Sequence, residues 1–135
     1  MSEYDASRRY LRVPAQLPAR ISTIDPEQDP WTGRSFFRAT QERCANVSQG
    51  GAYVRTAEPL APGRRLLIEI HLPDGRRLEA IGRVAWSKTV MSPHEHDDEG
   101  GIGVEFLGGA ASHLTALEDY IANRAHAKTA SEGDA

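Results

Sequence analysis

Cysteine is almost absent from this chain, since Cys44 is the only one among its 135 residues. A single cysteine cannot form an internal disulfide, and this usage is typical of a reducing compartment. We therefore expect a cytoplasmic protein. Because free cysteine is most often a small residue of the core, we interpret Cys44 as a buried strand residue.

The chain also lacks a long apolar run and an excess of basic residues. Its apolar runs are only a few residues long, whereas a membrane span needs roughly 20. The start of the chain, residues 1–5, carries acidic residues where a signal peptide would be basic. The net charge is -3, while general nucleic-acid binding needs a large basic face. We expect no membrane insertion, no export signal and no nucleic-acid partner.

The length of 135 residues suits one domain with one core. Hydrophobic residues make up 39% and charged residues 26% of the chain, which is typical of a soluble globular protein. Both ends are small, polar and without an apolar period. We predict a flexible N-terminus at residues 1–7, a single domain at residues 8–126 and a flexible C-terminal tail at residues 127–135.

Short strands separated by turns dominate the middle of the chain. The clearest alternation runs from Leu66 to Leu72 and predicts a strand with one inward face. Turn residues 73–75 join it to a return strand, and further strands are predicted at residues 17–24, 36–45, 52–56 and 101–106. In the return strand the inward side chains are expected to be Leu78, Ala80, Gly82, Val84 and Trp86.

One helix is predicted after the last strand. Apolar residues recur at helical spacing between Ser112, the expected N-cap, and Ala125. The glycines of residues 101–103 indicate a close approach of the backbone to a neighbour. Six short strands and one helix favour a mainly all-β fold, a six-stranded antiparallel barrel whose closure removes exposed edges. The C-terminal helix would close one end or pack outside.

Arginine is concentrated near the start of the chain, where residues 8, 9, 12 and 20 are arginine and no acidic residue occurs between Ala6 and Ile24. Arg8 and Arg12 can reach one ligand from the same segment, and we predict residues 8–16 to be a ligand-binding arm ahead of the first strand. A guanidinium offers two parallel donors, which match a phosphate or the N7 and O6 edge of guanine. Tyr10 adds a surface for stacking.

A turn at residues 46–51 complements this arm. Asn46 supplies an amide, Ser48 a hydroxyl, and the glycines expose backbone N–H groups to close approach. Amides held in a turn can cradle an anion. The arm and the turn together predict a site for a small anionic ligand that contains a purine.

The two segments resemble the signatures of the PilZ domain family, a bacterial receptor module for the second messenger cyclic di-GMP. Arg8 and Arg12 match the RxxxR signature, and Asn46, Ser48 and Gly51 match [D/N]xSxxG. The resemblance extends from about residue 8 to residue 125 and includes segments 82–86 and 101–106. It implies a PilZ-type six-stranded barrel with a C-terminal helix, a nucleotide held on its outer surface, no cofactor and no catalysis.

The resemblance also implies a role for each matching residue. The two signature arginines would contact phosphates and guanine bases, and the turn residues would bind a guanine from the other side. The arginine adjacent to the first signature position is a further candidate without a fixed role. The ligand-binding residues implied in this way are Arg8, Arg9, Arg12, Asn46, Ser48 and Gly51.

The expected function is a cyclic di-GMP receptor that signals through ordering of the arm to an unidentified downstream protein. The alternative is a PilZ-fold adaptor that contacts proteins without binding nucleotide. A barrel that binds single-stranded nucleic acid is disfavoured, because the strands lack aromatic platforms and a basic groove. Residues 25–35 depart from the family pattern as an inserted loop. Trp31 either anchors a partner there or covers the barrel.

An enzyme is not expected. Residues 94–99 are rich in His, Asp and Glu, but adjacent loop residues cannot all face one ion, so we interpret this segment as a solvated loop. The glycines at 100–103 do not form a dinucleotide fingerprint, because the third glycine of the GxGxxG pattern and a strand-to-helix context are missing. His113 is interpreted as a surface residue and not as a catalytic base.

Overall fold

A closed antiparallel barrel forms the body of the computed structural model, which describes residues 12–89 and 100–134 and, in the helix, side chains as far as Ala125. Around the barrel the strand order is β1-β4-β5-β8-β7-β6. A separate two-stranded sheet pairs β2 with β3. In chain order the elements are β1 (Val13–Thr23), β2 (Glu27–Gln28), β3 (Ser35–Phe36), β4 (Ala39–Ser48), β5 (Gly51–Arg55), β6 (Arg65–His71), β7 (Arg77–Lys88), β8 (Gly101–Gly109) and α1 (Ala111–Asp134).

The barrel core follows the alternation of the sequence. β6 alternates buried and partly exposed side chains, and β7 places its matching residues inward as far as Val84. This confirms the all-β barrel and both strands of the predicted hairpin. The expectation for Trp86 was wrong, because a bulge between Val84 and Trp86 shifts the pairing with β8 and turns this side chain outward.

Cys44 is fully buried in β4, as predicted. Burial raises the pKa of its thiol to about 12, although the Sγ atom lies 3.2 Å from the carbonyl oxygen of Asn46. The thiol is therefore protonated at neutral pH and acts as a small apolar residue of the core.

β1 begins earlier than the sequence indicated. Residues 13–16, assigned to the arm, lie in the strand, where Val13 pairs with Val47 and Pro14 with Asn46. The prolines of this stretch were interpreted as punctuation ahead of the strand. Pro14 and Pro18 instead point outward from it, and the register shifts between Pro14 and Leu17. Such an irregularity tolerates a residue that has no N–H to donate.

α1 begins at Ala111 and not after Ser112, since the carbonyl of Ala110 accepts the N–H groups of His113 and Leu114. It continues to Asp134, beyond the end predicted at Ala125 and through most of the segment assigned to a flexible tail. Residues 127–135 were assigned to a tail because they are small and polar and show no apolar periodicity. Ala and Lys in this segment nevertheless favour a helix.

The helix closes the end of the barrel at which β1 and β7 begin. Leu117 and Ile121 join the core, as predicted from their spacing. The Nδ1 atom of His113 accepts the backbone N–H of Glu79, and Arg124 donates to the carbonyl of Pro14. His113 therefore has a structural contact that its interpretation as a surface residue did not include.

The segment predicted as an inserted loop, residues 25–35, contains a short hairpin made by β2 and β3. It projects from the opposite end of the barrel, between the end of β1 and the start of β4. Trp31 lies at its tip with 93% of its surface exposed. The interpretation in which this ring covers the barrel was wrong.

Candidate functional site

The β4–β5 turn is held by its own serine. Ser48 is almost buried, with 7% of its surface exposed, and its Oγ atom accepts the N–H of Gly50 at 3.2 Å and lies 3.4 Å from the carbonyl oxygen of Gly51. Serine suits this position because its hydroxyl can accept one hydrogen bond, from the Gly50 N–H, and donate another, to the Gly51 carbonyl. The carbonyl of Gly50 in turn accepts the N–H of Phe106 in β8 at 2.9 Å. Hydrogen bonds within the protein therefore fix the shape of the turn without a ligand.

Gly51 is required at its position by packing. A Cβ atom there would lie 2.2 Å from the carbonyl oxygen of Val104, which belongs to the backbone of the neighbouring strand. Only glycine lets β5 approach β8 this closely. The serine and the glycine of the signature therefore have a clear structural purpose in shaping the turn.

The pairing of β1 with β4 places Arg12 next to this turn. This arginine precedes Val13, which pairs with Val47, and Ser48 is the next residue along β4. Arg12 is exposed. The structure thus brings one signature arginine to the end of the barrel that carries the turn. Arg8 and Arg9, and the rest of the arm before Arg12, lie outside the described residues.

Asn46 begins a row of outward-facing residues that crosses four strands. It pairs with Tyr53 in β5, and Tyr53 pairs with Gly103 in β8, which pairs with Trp86 in β7. The rings of Tyr53 and Trp86 stack with centroids 5.3 Å apart and planes 17° apart. Trp86 retains 43% exposure, so an aromatic surface lies on the barrel wall beside Asn46.

Glycine makes this stacking possible. A Cβ atom on Gly103 would lie 2.1 Å from the Nε1 atom of Trp86, and one on Gly101 would lie 2.8 Å from the ring of Tyr53. The two aromatic rings thus cover glycine positions of β8 and meet across that strand. The predicted close approach at residues 101–103 is confirmed.

Sequence reasoning missed this aromatic pair as part of the site. Trp86 was assigned to the inner face by its period, and Tyr53 was considered only as a strand residue. The spacing of Gly101 and Gly103 could have revealed it. These two glycines are neighbours on the outer face of β8, and neither has a side chain to cover that face. Large neighbouring rings are expected to fill such positions.

Cationic side chains form the next row along the outer surface. Arg43 in β4 pairs with Arg55 in β5, and both line a groove of about 700 Å³. Arg43 donates to the Oε1 atom of Gln16 at 3.4 Å. The Oε2 atom of Glu42, which also lines the groove, is buried without a hydrogen-bond partner in the described part of the chain. The groove therefore offers guanidinium donors and a carboxylate acceptor. Its lining residues are Gln16, Pro18, Gln41, Glu42, Arg43, Arg55, Thr56, Ala57, Pro59, Thr89 and Gly100.

Metal binding finds no support in residues 12–89 and 100–134, which contain no group of three or more His, Cys, Asp or Glu side chains able to hold an ion. The acidic and histidine-rich segment 94–99 lies outside the described residues. Within the described residues, no helix is both long and apolar enough to cross a membrane.

Comparison with protein families gives one clear match. The family model of the PilZ domain matches residues 6–123, which include every candidate ligand-binding residue. No curated protein sequence matches the chain.

Solved structures with the same fold include the inhibitor of motility MotI/DgrA from Bacillus subtilis, with a TM-score of 0.67 and 25% sequence identity over 90% of this chain and 52% of that one. YcgR from Escherichia coli in complex with c-di-GMP has a TM-score of 0.62 and 17% identity, covering 94% of this chain and 49% of YcgR. This chain thus spans about half the length of these two proteins. The separate PilZ domain of YcgR with c-di-GMP has a TM-score of 0.59 and 19% identity, covering 94% and 97% of the two chains.

Proposed function

Because this chain belongs to the PilZ domain family, we propose that it is a receptor that binds cyclic di-GMP between the N-terminal arginines and the β4–β5 turn. The ligand carries two phosphates and two guanines, so it needs cations, base-edge donors and acceptors, and flat surfaces. Binding, not catalysis, is the proposed activity. The residues proposed to contact it are Arg8, Arg9, Arg12, Asn46, Ser48 and Gly51.

The observation that carries this proposal is the register of β1 with β4. Val13 opposite Val47 brings Arg12 next to Ser48, although the two signature segments are far apart in the sequence. The same outer surface continues into the stacked Tyr53 and Trp86 pair. A guanidinium, an amide and a ring surface on one face are the groups that recognise a guanine nucleotide.

The test is isothermal titration of the purified protein with cyclic di-GMP, with GTP and cyclic di-AMP titrated separately as control nucleotides. We expect selective binding. Arg12→Ala should weaken it by about 1 to 3 kcal/mol, the range for loss of a bidentate arginine contact. The titration also gives the number of nucleotides bound per chain.

Arg20→Ala is the matched control. Arg20 is an exposed arginine of β1, the strand that follows Arg12, but it pairs with Gln41 and Glu69, well away from the β4–β5 turn. Its removal changes the net charge as much as Arg12→Ala does and should leave binding unchanged. Equal losses in both variants, or equal binding of GTP, would reduce the interaction to nonspecific charge. Absence of binding would favour the adaptor alternative.

We further propose that the ligand orders the arm and that this ordering is the signal to a downstream protein. Fixing a backbone costs about 1 to 2 kcal/mol per residue, and charge-assisted hydrogen bonds of about 1.5 to 3 kcal/mol each can offset this cost. Hydrogen exchange with and without cyclic di-GMP measures the effect. We expect increased protection of residues 8–12, and equal protection in both states would contradict the mechanism.

A further inference from the structure

The β2–β3 hairpin is fastened to the barrel by ion pairs. Arg38 donates through Nη2 to Oε1 of Glu27 at 2.6 Å and through Nε to Oε2 at 3.0 Å. Both side chains are largely shielded, with exposures of 20% and 15%. Arg38 also donates through Nη1 to the carbonyl of Glu58 at 2.6 Å. The bidentate contact ties β2 to the residue before β4, and the bond to Glu58 ties the same arginine to the loop after β5.

Two further ties hold the base of the hairpin. Asp25 accepts the backbone N–H of Arg65 at 2.9 Å and its Nη2 at 2.8 Å. Arg64 donates to the carbonyl of Pro26. The hairpin is thus connected to the beginning of β6 as well as to β4, and its orientation relative to the barrel is fixed from two sides.

The tip of the hairpin is equally well defined. The Oδ1 atom of Asp29 accepts the backbone N–H of Trp31 at 2.8 Å and that of Thr32 at 3.2 Å. Gly33 follows with φ 71°, a conformation that side chains disfavour. These bonds present the indole of Trp31 to solvent, where 93% of its surface is exposed, and Phe37 beyond β3 is 67% exposed.

The charges of the hairpin determine what can dock on it. Its three carboxylates are engaged internally: Asp25 by Arg65, Glu27 by Arg38 and Asp29 by the backbone of its own turn. Among the described residues, the guanidinium of Arg34 has no hydrogen bond or ion pair. The exposed tip therefore combines an aromatic ring with one uncompensated positive charge.

We propose that this hairpin is a docking surface for a partner protein that has an apolar pocket for the Trp31 ring and a carboxylate beside it for Arg34. Rigid aromatic and arginine side chains are the anchors that dominate protein interfaces, and the ties described above reduce the entropy lost on docking. The surface lies at the opposite end of the barrel from the proposed nucleotide site, so it is independent of nucleotide contacts.

Crosslinking from the tip identifies the partner. The full chain with p-benzoylphenylalanine in place of Trp31 is expressed in the source bacterium and irradiated, and the adduct is identified by mass spectrometry. The captured protein is then purified and titrated against wild type, Trp31→Ala, Arg34→Glu and the control Ile81→Ala, which alters an exposed apolar residue of β7. We expect Trp31→Ala and Arg34→Glu to bind the captured protein at least tenfold more weakly than wild type does. The control Ile81→Ala should bind it with unchanged affinity. A carboxylate-to-lysine change in the partner should restore binding to Arg34→Glu.

Several results overturn the proposal. They are equal affinity for wild type and Trp31→Ala, absence of any adduct, adducts only between copies of this chain, and Trp31-dependent binding to phosphatidylglycerol vesicles. Trp31→Ala should bind cyclic di-GMP like the wild type, because the hairpin is remote from the β4–β5 turn. Failure of the docking surface is thereby distinguished from failure of the nucleotide site.

Discussion

The β4–β5 turn and the β2–β3 hairpin lie at opposite ends of the barrel and are stabilised differently. At the first, Ser48 is nearly buried and Gly51 is pressed against the backbone of Val104. At the second, Asp29 organises a turn whose Gly33 has open space around it, and Trp31 faces solvent. β1 runs from one end to the other and has 11 residues, which corresponds to roughly 35 Å along the strand.

This difference indicates two kinds of surface. The β4–β5 turn is part of the barrel packing, so its signature residues shape the ligand site by fixing the backbone. The hairpin adds little to the core and is fixed by polar contacts at its base. Changes at the first end should therefore affect both stability and nucleotide binding, whereas changes at the second should affect stability little.

The largest effect is expected from Gly51→Ala. The added Cβ would meet a backbone oxygen that cannot move aside, and overpacking of this kind costs about 2 to 3 kcal/mol. Urea denaturation followed by circular dichroism measures the loss in the free energy of unfolding. Gly33→Ala is the control: its Cβ meets no neighbour, so only its positive φ should cost stability, about 1 to 2 kcal/mol. Equal losses would show that the two turns do not differ in packing.

A smaller effect is expected from the side chains that accept turn N–H groups. Ser48→Ala leaves the N–H of Gly50 without its acceptor at a nearly buried position, which should cost about 1 to 2 kcal/mol. Asp29→Ala removes a similar contact at an exposed turn, where water replaces it, and should cost about 0.5 kcal/mol. Urea denaturation compares the free energies of unfolding of the two variants. A greater loss of stability for Asp29→Ala than for Ser48→Ala would contradict the proposed difference between the two turns.

The smallest effect concerns the pH dependence of the hairpin base. Hydrogen bonds from the side chain and backbone of Arg65 hold the pKa of Asp25 below its ordinary value of 3.8. A carboxylate with a lowered pKa in the folded state stabilises the protein above its ordinary pKa, and this contribution is lost as the pH falls through the lowered value. Asp25→Asn should therefore be slightly less stable than wild type at pH 7. The difference in stability between wild type and Asp25→Asn should vanish once the pH is below the lowered pKa of Asp25. Urea denaturation at a series of pH values measures it, and a difference that grew as the pH fell would contradict the contact between Asp25 and Arg65.

The alternation of Leu66, Ile68 and Ile70 was sufficient to predict their strand and its inner face, because a period of two leaves only one way to bury these side chains. The start of β1 could not be predicted in this way. Its prolines are local signals against a strand, and their outward position beside a register shift depends on pairing with a distant segment. Likewise, nothing local distinguishes Trp86 from an inward residue, because its direction follows from a bulge against β8.

The sequence by itself determined the mainly β composition, the final helix and the two signatures, since each depends on residues close together in the chain. The tertiary structure alone decided that Arg12 lies beside Ser48, that Tyr53 stacks on Trp86 and that Trp31 faces solvent. These relations depend on strand register and barrel closure, which are set by the packing of the whole core and not by any local pattern.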